Sequence, residues 1–212
     1  YNVYGGLQDN GTWYAASTAR EIDQWNYEGV YPWKSIGGGD GMQVQVDTRD
    51  NKTAYSGSQF GYYSRANTDG NKDYLFIHPM HDLGEAKLRY NWQTPIWLSK
   101  HNQDIFYYGA NKFYRSLDKA ENLLALSADL TNGKKPGHVP YGTFTCVIES
   151  PLKFGLIYVG TDDGNVQLSK DGGYTWALVS KNLPQSLWVS RVTPSKYKEG
   201  RVYVSLNGYR YD

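Results

Sequence analysis

Acidic side chains and histidines are the residues here whose types could do chemistry. Asp162 and Asp163 are adjacent in "GTDDGNVQLSKDGGYTW" (Gly160 to Trp176), and Asp171 follows in the same stretch. Asp40 stands in "GGGDGM" and Asp9 in "LQDNGTW". Hydrolysis of a glycosidic bond normally needs two carboxylates across a sugar, one as acid and one as base or nucleophile. Asp40 is the best placed for such work, because its glycines permit close backbone approach and a strand-like run follows at once. Asp9 is a second catalytic candidate, although Asp9-Asn10-Gly11 also makes a hairpin turn. The structural alternative for Asp40 is a turn or a hydrogen bond to a neighbouring repeat. His78, His81 and Asp82 in "IHPMHD" have metal-ligand types, but a loop without a third, strand-borne ligand is a poor metal site, and none is assigned. There is no G-x-S-x-G elbow, and "GGGDG" lacks the Lys-Ser/Thr of a phosphate loop.

These residues need elements to position them, and composition indicates which. Aromatics make up 16% of the 212 residues, with 20 Tyr and 7 Trp, and there are 23 Gly. Aromatics favour strands, while Gly with Asn and Asp favours tight turns, so the expectation is all-β with many short strands. A net charge of +1 gives no reason to expect nucleic acid. Cys146 is the only cysteine, so no disulfide within the chain and no thiolate zinc site can form. No apolar run approaches the ~20 residues of a membrane span. The sequence begins at Tyr1 without Met and reads as a mature form or as part of something longer.

An apolar-Tyr-x-Gly signature recurs at Tyr4, Tyr55, Tyr107, Tyr158 and Tyr203, the last with Ser in place of Gly, at intervals of 51, 52, 51 and 45 residues. Another apolar run ends before the later copies, at Asp47, Ser99, Ser150 and, in the last repeat, Thr193. Each unit reads as four short strands joined by turns. A period of about 40 to 50 residues with four strands predicts β-propeller blades. The phase gives a partial blade over 1–36, whole blades over 37–86, 87–136 and 137–186, and a partial blade over 187–212, in one propeller region with about seventeen strands. A piece of a larger propeller is expected, its open blade faces covered by remaining blades of a longer chain or by another copy.

The position of "SKDGGYTW" in the repeat explains its acid. Ser169, Asp171, Gly173 and Trp176 have the spacing S-x-D-x-G-x-x-W, the Asp-box hairpin. Asp171 is expected to accept backbone N–H groups of its own turn, the glycines to supply positive φ, and Trp176 to pack as a blade anchor. A degenerate copy has Ser116 and Asp118, followed by Ala120 and Leu123, and Ser64 takes the Ser slot of a further drifted copy. Drift of this kind suits a structural device. Turn formation is also the reading for Asp162 and Asp163, with a surface calcium ion as the alternative and no other cofactor expected.

Taken with "YGGLQDNGTW", "GGGDGMQVQVD", "LRYNWQTPIWLS" and "YYGANKFYRS", the chain resembles the large bacterial Asp-box (BNR) repeat propeller proteins, described as sortilin-like or glycosyl-hydrolase-like. These are similar in fold to the two-propeller xyloglucan hydrolases, whose catalysis uses a pair of acidic residues. The resemblance implies a secreted, periplasmic or cell-surface protein. It does not by itself imply an activity.

At the entrances of the first strands, the positions corresponding to Asp40 are Asn91 and Trp92, then Tyr141 and Thr143, then Trp188 with Arg191 nearby. This polar and aromatic set suits stacking and hydrogen bonding to a polysaccharide or a protein segment. The alternative is that Trp92 and Trp188 fill space between blades. The functional expectation is a glycan- or protein-binding scaffold module. The alternative is a β-glucan or xyloglucan-type glycoside hydrolase whose full acid–base pair lies partly outside this segment.

Overall fold

The computed structural model of the chain describes residues 1–20, 22–29, 31–70 and 73–208. It is all-β apart from one short helix, one 3-10 turn and the loops, with seventeen strands among the described residues. They form five antiparallel sheets. The first has β1 (Asn2–Leu7), β2 (Gly11–Ala16) and β3 (Lys34–Gly37), with helix α1 (Asp23–Glu28) in the β2–β3 connection. The second has β4 (Val44–Val46), β5 (Thr53–Gly57), β6 (Tyr63–Asn67) and β7 (Leu75–Ile77). The third has β8 (Ile96–Leu98), β9 (Phe106–Gly109), β10 (Phe113–Ser116) and β11 (Leu124–Ala125). The fourth has β12 (Phe144–Glu149), β13 (Ile157–Thr161), β14 (Val166–Ser169) and β15 (Ala177–Leu178), and the fifth β16 (Trp188–Pro194) and β17 (Val202–Asn207). Two compact units hold them, Tyr1–Ile77 with the first two sheets and His78–Asp212 with the other three.

Register explains the recurring Tyr-x-Gly. Tyr55, Tyr107 and Tyr158 lie on the second strands of three sheets and are buried. In the second unit the glycine two residues on lies where the next sheet comes closest. A Cβ on Gly109 would stand 2.6 Å from Phe144, and one on Gly160 would stand 2.5 Å from Val189. Phe144 and Val189 belong to the first strands of the following sheets, so glycine lets consecutive sheets pack face to face. One apolar cluster, including Tyr107, Phe113, Phe144 and Ile157, joins the third and fourth sheets. Another, including Tyr158, Val166, Val189 and Val192, joins the fourth and fifth, with Cys146 packed against it.

The Asp-box forms as a closed turn. Ser169 Oγ donates to Asp171 Oδ1 at 2.8 Å and accepts the Gly173 N–H at 2.8 Å. Asp171 accepts from the Thr175 N–H at 2.9 Å and from the Thr175 hydroxyl at 2.6 Å. Gly172 and Gly173 have φ of 76° and 104°. The degenerate box has the same wiring: Ser116 Oγ donates to Asp118 and accepts the Ala120 N–H, and Asp118 accepts from both nitrogens of Asn122.

Register also corrects two assignments. Ser116 faces Phe106 and Ser169 faces Ile157, each one residue before the signature tyrosine. The residue facing Ala54, one before Tyr55, is Ala66 and not Ser64. The loop from Gly57 to Tyr63 is two residues longer than the one from Gly109 to Phe113, so equal sequence spacing does not give equal register. Similarly, Ser195, the residue after β16, and not Thr193, is the counterpart of Ser99 and Ser150 in the fifth sheet. The Ser195 N–H bonds the Arg201 carbonyl as Ser150 bonds Leu156 and Ser99 bonds Ile105.

Candidate functional site

The entrances to the first strands are built by one recurring device. In each of three sheets, a polar side chain in the loop after the second strand turns back to hold the backbone that enters the first. Gln59 Oε1 accepts the Asp40 N–H at 3.0 Å. Asn111 Oδ1 accepts the Arg89 N–H at 3.0 Å. Asp162 Oδ1 accepts the N–H groups of Gly142 and Thr143 at 3.0 and 2.9 Å, and its Oδ2 takes the Thr143 hydroxyl at 2.8 Å. These contacts span many residues of sequence, and each satisfies a backbone N–H at a strand entrance.

Within the first unit, Asp40 is buried, and its Oδ1 accepts the Asp9 N–H at 2.8 Å. Asp9 has φ of 63°, as expected in a tight hairpin. The glycines around Asp40 do permit close backbone approach: a Cβ on Gly41 would lie 2.1 Å from the Gly11 carbonyl oxygen. Asp9 and Asp40 are therefore brought together, but through the backbone of one and the carboxylate of the other. That geometry ties two turns and does not place two carboxylates across a ligand.

In the second unit the structure joins Asn91 to Thr143. Asn91 Nδ2 donates to Thr143 Oγ1 at 2.9 Å, and the Thr143 hydroxyl in turn donates to Asp162. Asn91 also accepts from the Gln93 N–H. Arg89 bridges the same region, donating to the Gly142 carbonyl at 3.0 Å, to Thr131 at 3.0 Å and to Asp129 at 2.5 Å. Burial of Asp129 acts to raise its pKa, but the Arg89 and Thr131 hydrogen bonds outweigh it and the carboxyl lies below its ordinary value. Asp163 is buried too, accepting from the Asn132 N–H at 2.6 Å and from the Thr161 hydroxyl at 2.5 Å. Arg89, Asp129 and Asn132 escaped the sequence reading because nothing local in their neighbourhoods marks them.

The aromatic members are placed differently. Trp92 is 43% exposed, and Tyr141 is half-buried with Lys135 donating to its hydroxyl at 3.0 Å. Trp188 opens β16 partly buried, and Arg191 is exposed three residues further along. β12 and β16 each carry a register irregularity close to their entrance, between Phe144 and Cys146 and between Val189 and Arg191. Such bulges re-aim neighbouring side chains. Trp92, Tyr141, Trp188 and Arg191 all lie at the entrance halves of consecutive first strands or in the loops leading to them.

The remaining candidates do not assemble into a metal site. The His78 ring lies tilted against Tyr90 with centroids 4.7 Å apart, and the His101 ring nitrogen bonds the Ser150 carbonyl oxygen. No group of three or more His, Cys, Asp or Glu side chains converges among the described residues. Two cavities are notable. One of about 750 Å3, in the first unit, is lined by Tyr4, Trp13, Tyr31 and Trp33. The other, of about 460 Å3, opens at the far ends of the first strands in the second unit.

The repeated four-stranded sheets, the Asp-box wiring and the close sheet-on-sheet packing decide the architecture. The fold is that of β-propeller blades. Two solved GH74 structures match it. The GH74 xyloglucanase from Xanthomonas campestris overlaps with a TM-score of 0.61 at 18% identity, over 96% of this chain and 31% of that one. The GH74 enzyme of Niastella koreensis overlaps with a TM-score of 0.61 at 15% identity, over 97% of this chain and 31% of that one. The chain thus spans about a third of the length of these propeller enzymes. YCF48 bound to a D1 peptide overlaps with a TM-score of 0.46 at 9% identity, over 69% of this chain and 43% of that one. No protein-family model matches the chain, and no curated protein matches it.

Proposed function

We propose that this propeller segment is a binding and scaffold module, and that its strand entrances recognise a glycan or a protein segment without turning it over. The observation that carries the reading is the employment of its acids. Asp40 and Asp162 accept backbone N–H groups, and Asp163 accepts one together with a hydroxyl, while all three are buried. A carboxylate that holds backbone N–H groups of another loop is committed to positioning that loop and not to proton transfer to a sugar oxygen. Trp92, Tyr141, Trp188 and Arg191 offer stacking faces and a cation at the same strand ends.

The Asp-box resemblance supports a secreted, periplasmic or cell-surface setting. The 31% coverage of the propeller enzymes supports a partner role for further blades of a longer chain, or a second copy, against the open sheet faces. A second reading, a glycoside hydrolase of the β-glucan or xyloglucan type, draws on the fold likeness to the xyloglucanases and requires an acid–base pair completed outside these residues.

A polysaccharide panel separates the two readings. The intact protein is incubated with xyloglucan, other β-glucans and a charged glycan, and both reducing-sugar release and binding are measured. Saturable binding without turnover, weakened by Trp92→Ala or Trp188→Ala, supports the binding module. Sugar release abolished by Asp40→Asn overturns it.

A further inference from the structure

The cavity at the far ends of the first strands has features that no entrance residue shares. β8, β12 and β16 run side by side in the second unit, and their last residues frame it together with the turns that follow. Trp97, Tyr197 and Tyr203 are among its lining residues, and Thr193 adds a hydroxyl. Two lysines stand at its rim, each over an aromatic ring: the Lys100 ammonium is 5.7 Å from the Trp97 ring centroid, and the Lys196 ammonium is 5.3 Å from that of Tyr197. Neither lysine pairs with a carboxylate among the described residues.

The one acid in the wall does not neutralise them. Glu149 is buried and accepts from the Ser99 hydroxyl at 2.5 Å, the Tyr107 hydroxyl at 2.9 Å and the Gly155 N–H at 2.9 Å. Burial, with the Glu149 charge beside it, pushes the Tyr107 hydroxyl far above its usual value, so this phenol stays a donor to Glu149. The acid is held by three interior donors, and the two lysines at the rim have no ion-pair partner among the described residues.

We propose that this cavity binds a uronic acid residue of an acidic polysaccharide. A pyranose ring presents apolar C–H faces that stack on indole and phenol rings, and its hydroxyls suit the Thr193 side chain. Its carboxylate supplies the negative charge that Lys100 and Lys196 lack. The volume of about 460 Å3 lies within the range that encloses small ligands. An acidic peptide offers carboxylates but no saturated ring for three aromatic walls. The site holds whether or not the strand entrances bind anything, because the two lie at opposite ends of the same strands.

The test is calorimetric titration of the intact protein with tetragalacturonate, cellotetraose and tetraglutamate. The proposal expects tetragalacturonate to bind at least about tenfold more tightly than the other two, as charge-assisted contacts require. Lys100→Ala and Lys196→Ala, both at exposed positions, are each expected to weaken it about tenfold, with the loss shrinking as salt rises. Tyr197→Ala is expected to weaken it at every salt concentration. Lys181→Ala, which removes an exposed lysine that does not line the cavity, is expected to leave it unchanged. Equal binding of tetragalacturonate and cellotetraose overturns the uronate assignment. Tighter binding of tetraglutamate assigns the cavity to an acidic peptide and overturns it too. Binding that survives both lysine substitutions removes the ligand from this cavity, and no binding to any of the three ends the proposal.

Discussion

Trp176 of the Asp-box sits edge-on against Phe113 of the preceding sheet, with ring centroids 5.1 Å apart and planes inclined at 62°. Its indole N–H donates to the Gly173 carbonyl at 2.8 Å, which fixes the ring to its own turn. Gly173 meets the same phenylalanine, since a Cβ there would lie 2.4 Å from it. Arg115, on the same strand as Phe113, donates to the Gly172 carbonyl at 2.8 Å. The box is therefore a clasp between sheets, and its acid serves the turn that presents the tryptophan.

Trp176→Ala removes that clasp. The expected cost is about 3 kcal/mol of stability, toward the low end for losing a large aromatic because the ring is only partly buried. Urea denaturation of the two proteins checks it. A midpoint unchanged within error would show that the box is decorative.

The sheet-on-sheet approach at Gly160 gives a sharper case. A methyl there would press on Val189 at 2.5 Å and on the Cys146 sulfur at 2.8 Å. Gly160→Ala is expected to destabilise by about 1 to 3 kcal/mol, as overpacking does. Val189→Ala made on the Gly160→Ala background should recover part of that loss, because it empties the space the new methyl needs. A double variant whose losses simply add would place the strain elsewhere.

The degenerate box carries a conformational defect that glycine would relieve. Lys119 and Ala120 have φ of 58° and 70°, where the intact box has Gly172 and Gly173. Ala120→Gly removes a left-handed strain of about 1 to 2 kcal/mol and adds a backbone entropy cost of about 0.5 to 1 kcal/mol. A small net stabilisation is expected, read as a higher urea midpoint with the same slope.

Acid should loosen both boxes. Hydrogen bonds from the Thr175 hydroxyl and N–H, then from Ser169, pull the Asp171 carboxyl down to about 2 from 3.8. Ser116 and Asn122 do the same for Asp118, to about 2. A folded-state value below the unfolded one gives stability that is complete above the unfolded value and is lost as pH falls through the folded one. The window is therefore about pH 4 down to about pH 2. Asp171→Asn should lower stability at pH 7 and flatten the dependence across that window. An unchanged pH profile in this variant would remove Asp171 from the account.

The boxes and the repeat were legible in the sequence because they are local. Ser169, Asp171, Gly173 and Trp176 lie within eight consecutive residues, and a hairpin of that length carries its own hydrogen bonds. The signature tyrosines were legible because three sheets bury theirs at the same position of the second strand, although Tyr203 is exposed. The entrance ties were not. Gln59 reaches Asp40 from 19 residues away, and Asn91 reaches Thr143 from 52, so only the fold brings them together. Ser64 misled because loop length changes register without leaving a mark on spacing. Helix α1 was missed as well, although Gly29 closes it with φ of 64°, a signal that "DQWNYEG" does contain.

Asp40 offers the test that separates a turn from a catalytic acid. Its carboxylate oxygen accepts the Asp9 N–H, a bond that an asparagine oxygen in the same place can also accept. Asp40→Asn is therefore expected to fold with stability close to that of the parent. Asp40→Ala leaves the Asp9 N–H without its partner and is expected to cost about 1 to 3 kcal/mol. A general acid, base or nucleophile behaves in the opposite way, since the amide cannot transfer the proton however well it preserves the turn. The deciding measurement pairs urea midpoints with glycan binding and sugar release for both variants. Stability retained by asparagine and lost by alanine, with binding unchanged in Asp40→Asn, assigns the residue to the turn. Sugar release by the parent that disappears in a fully stable Asp40→Asn would make it catalytic.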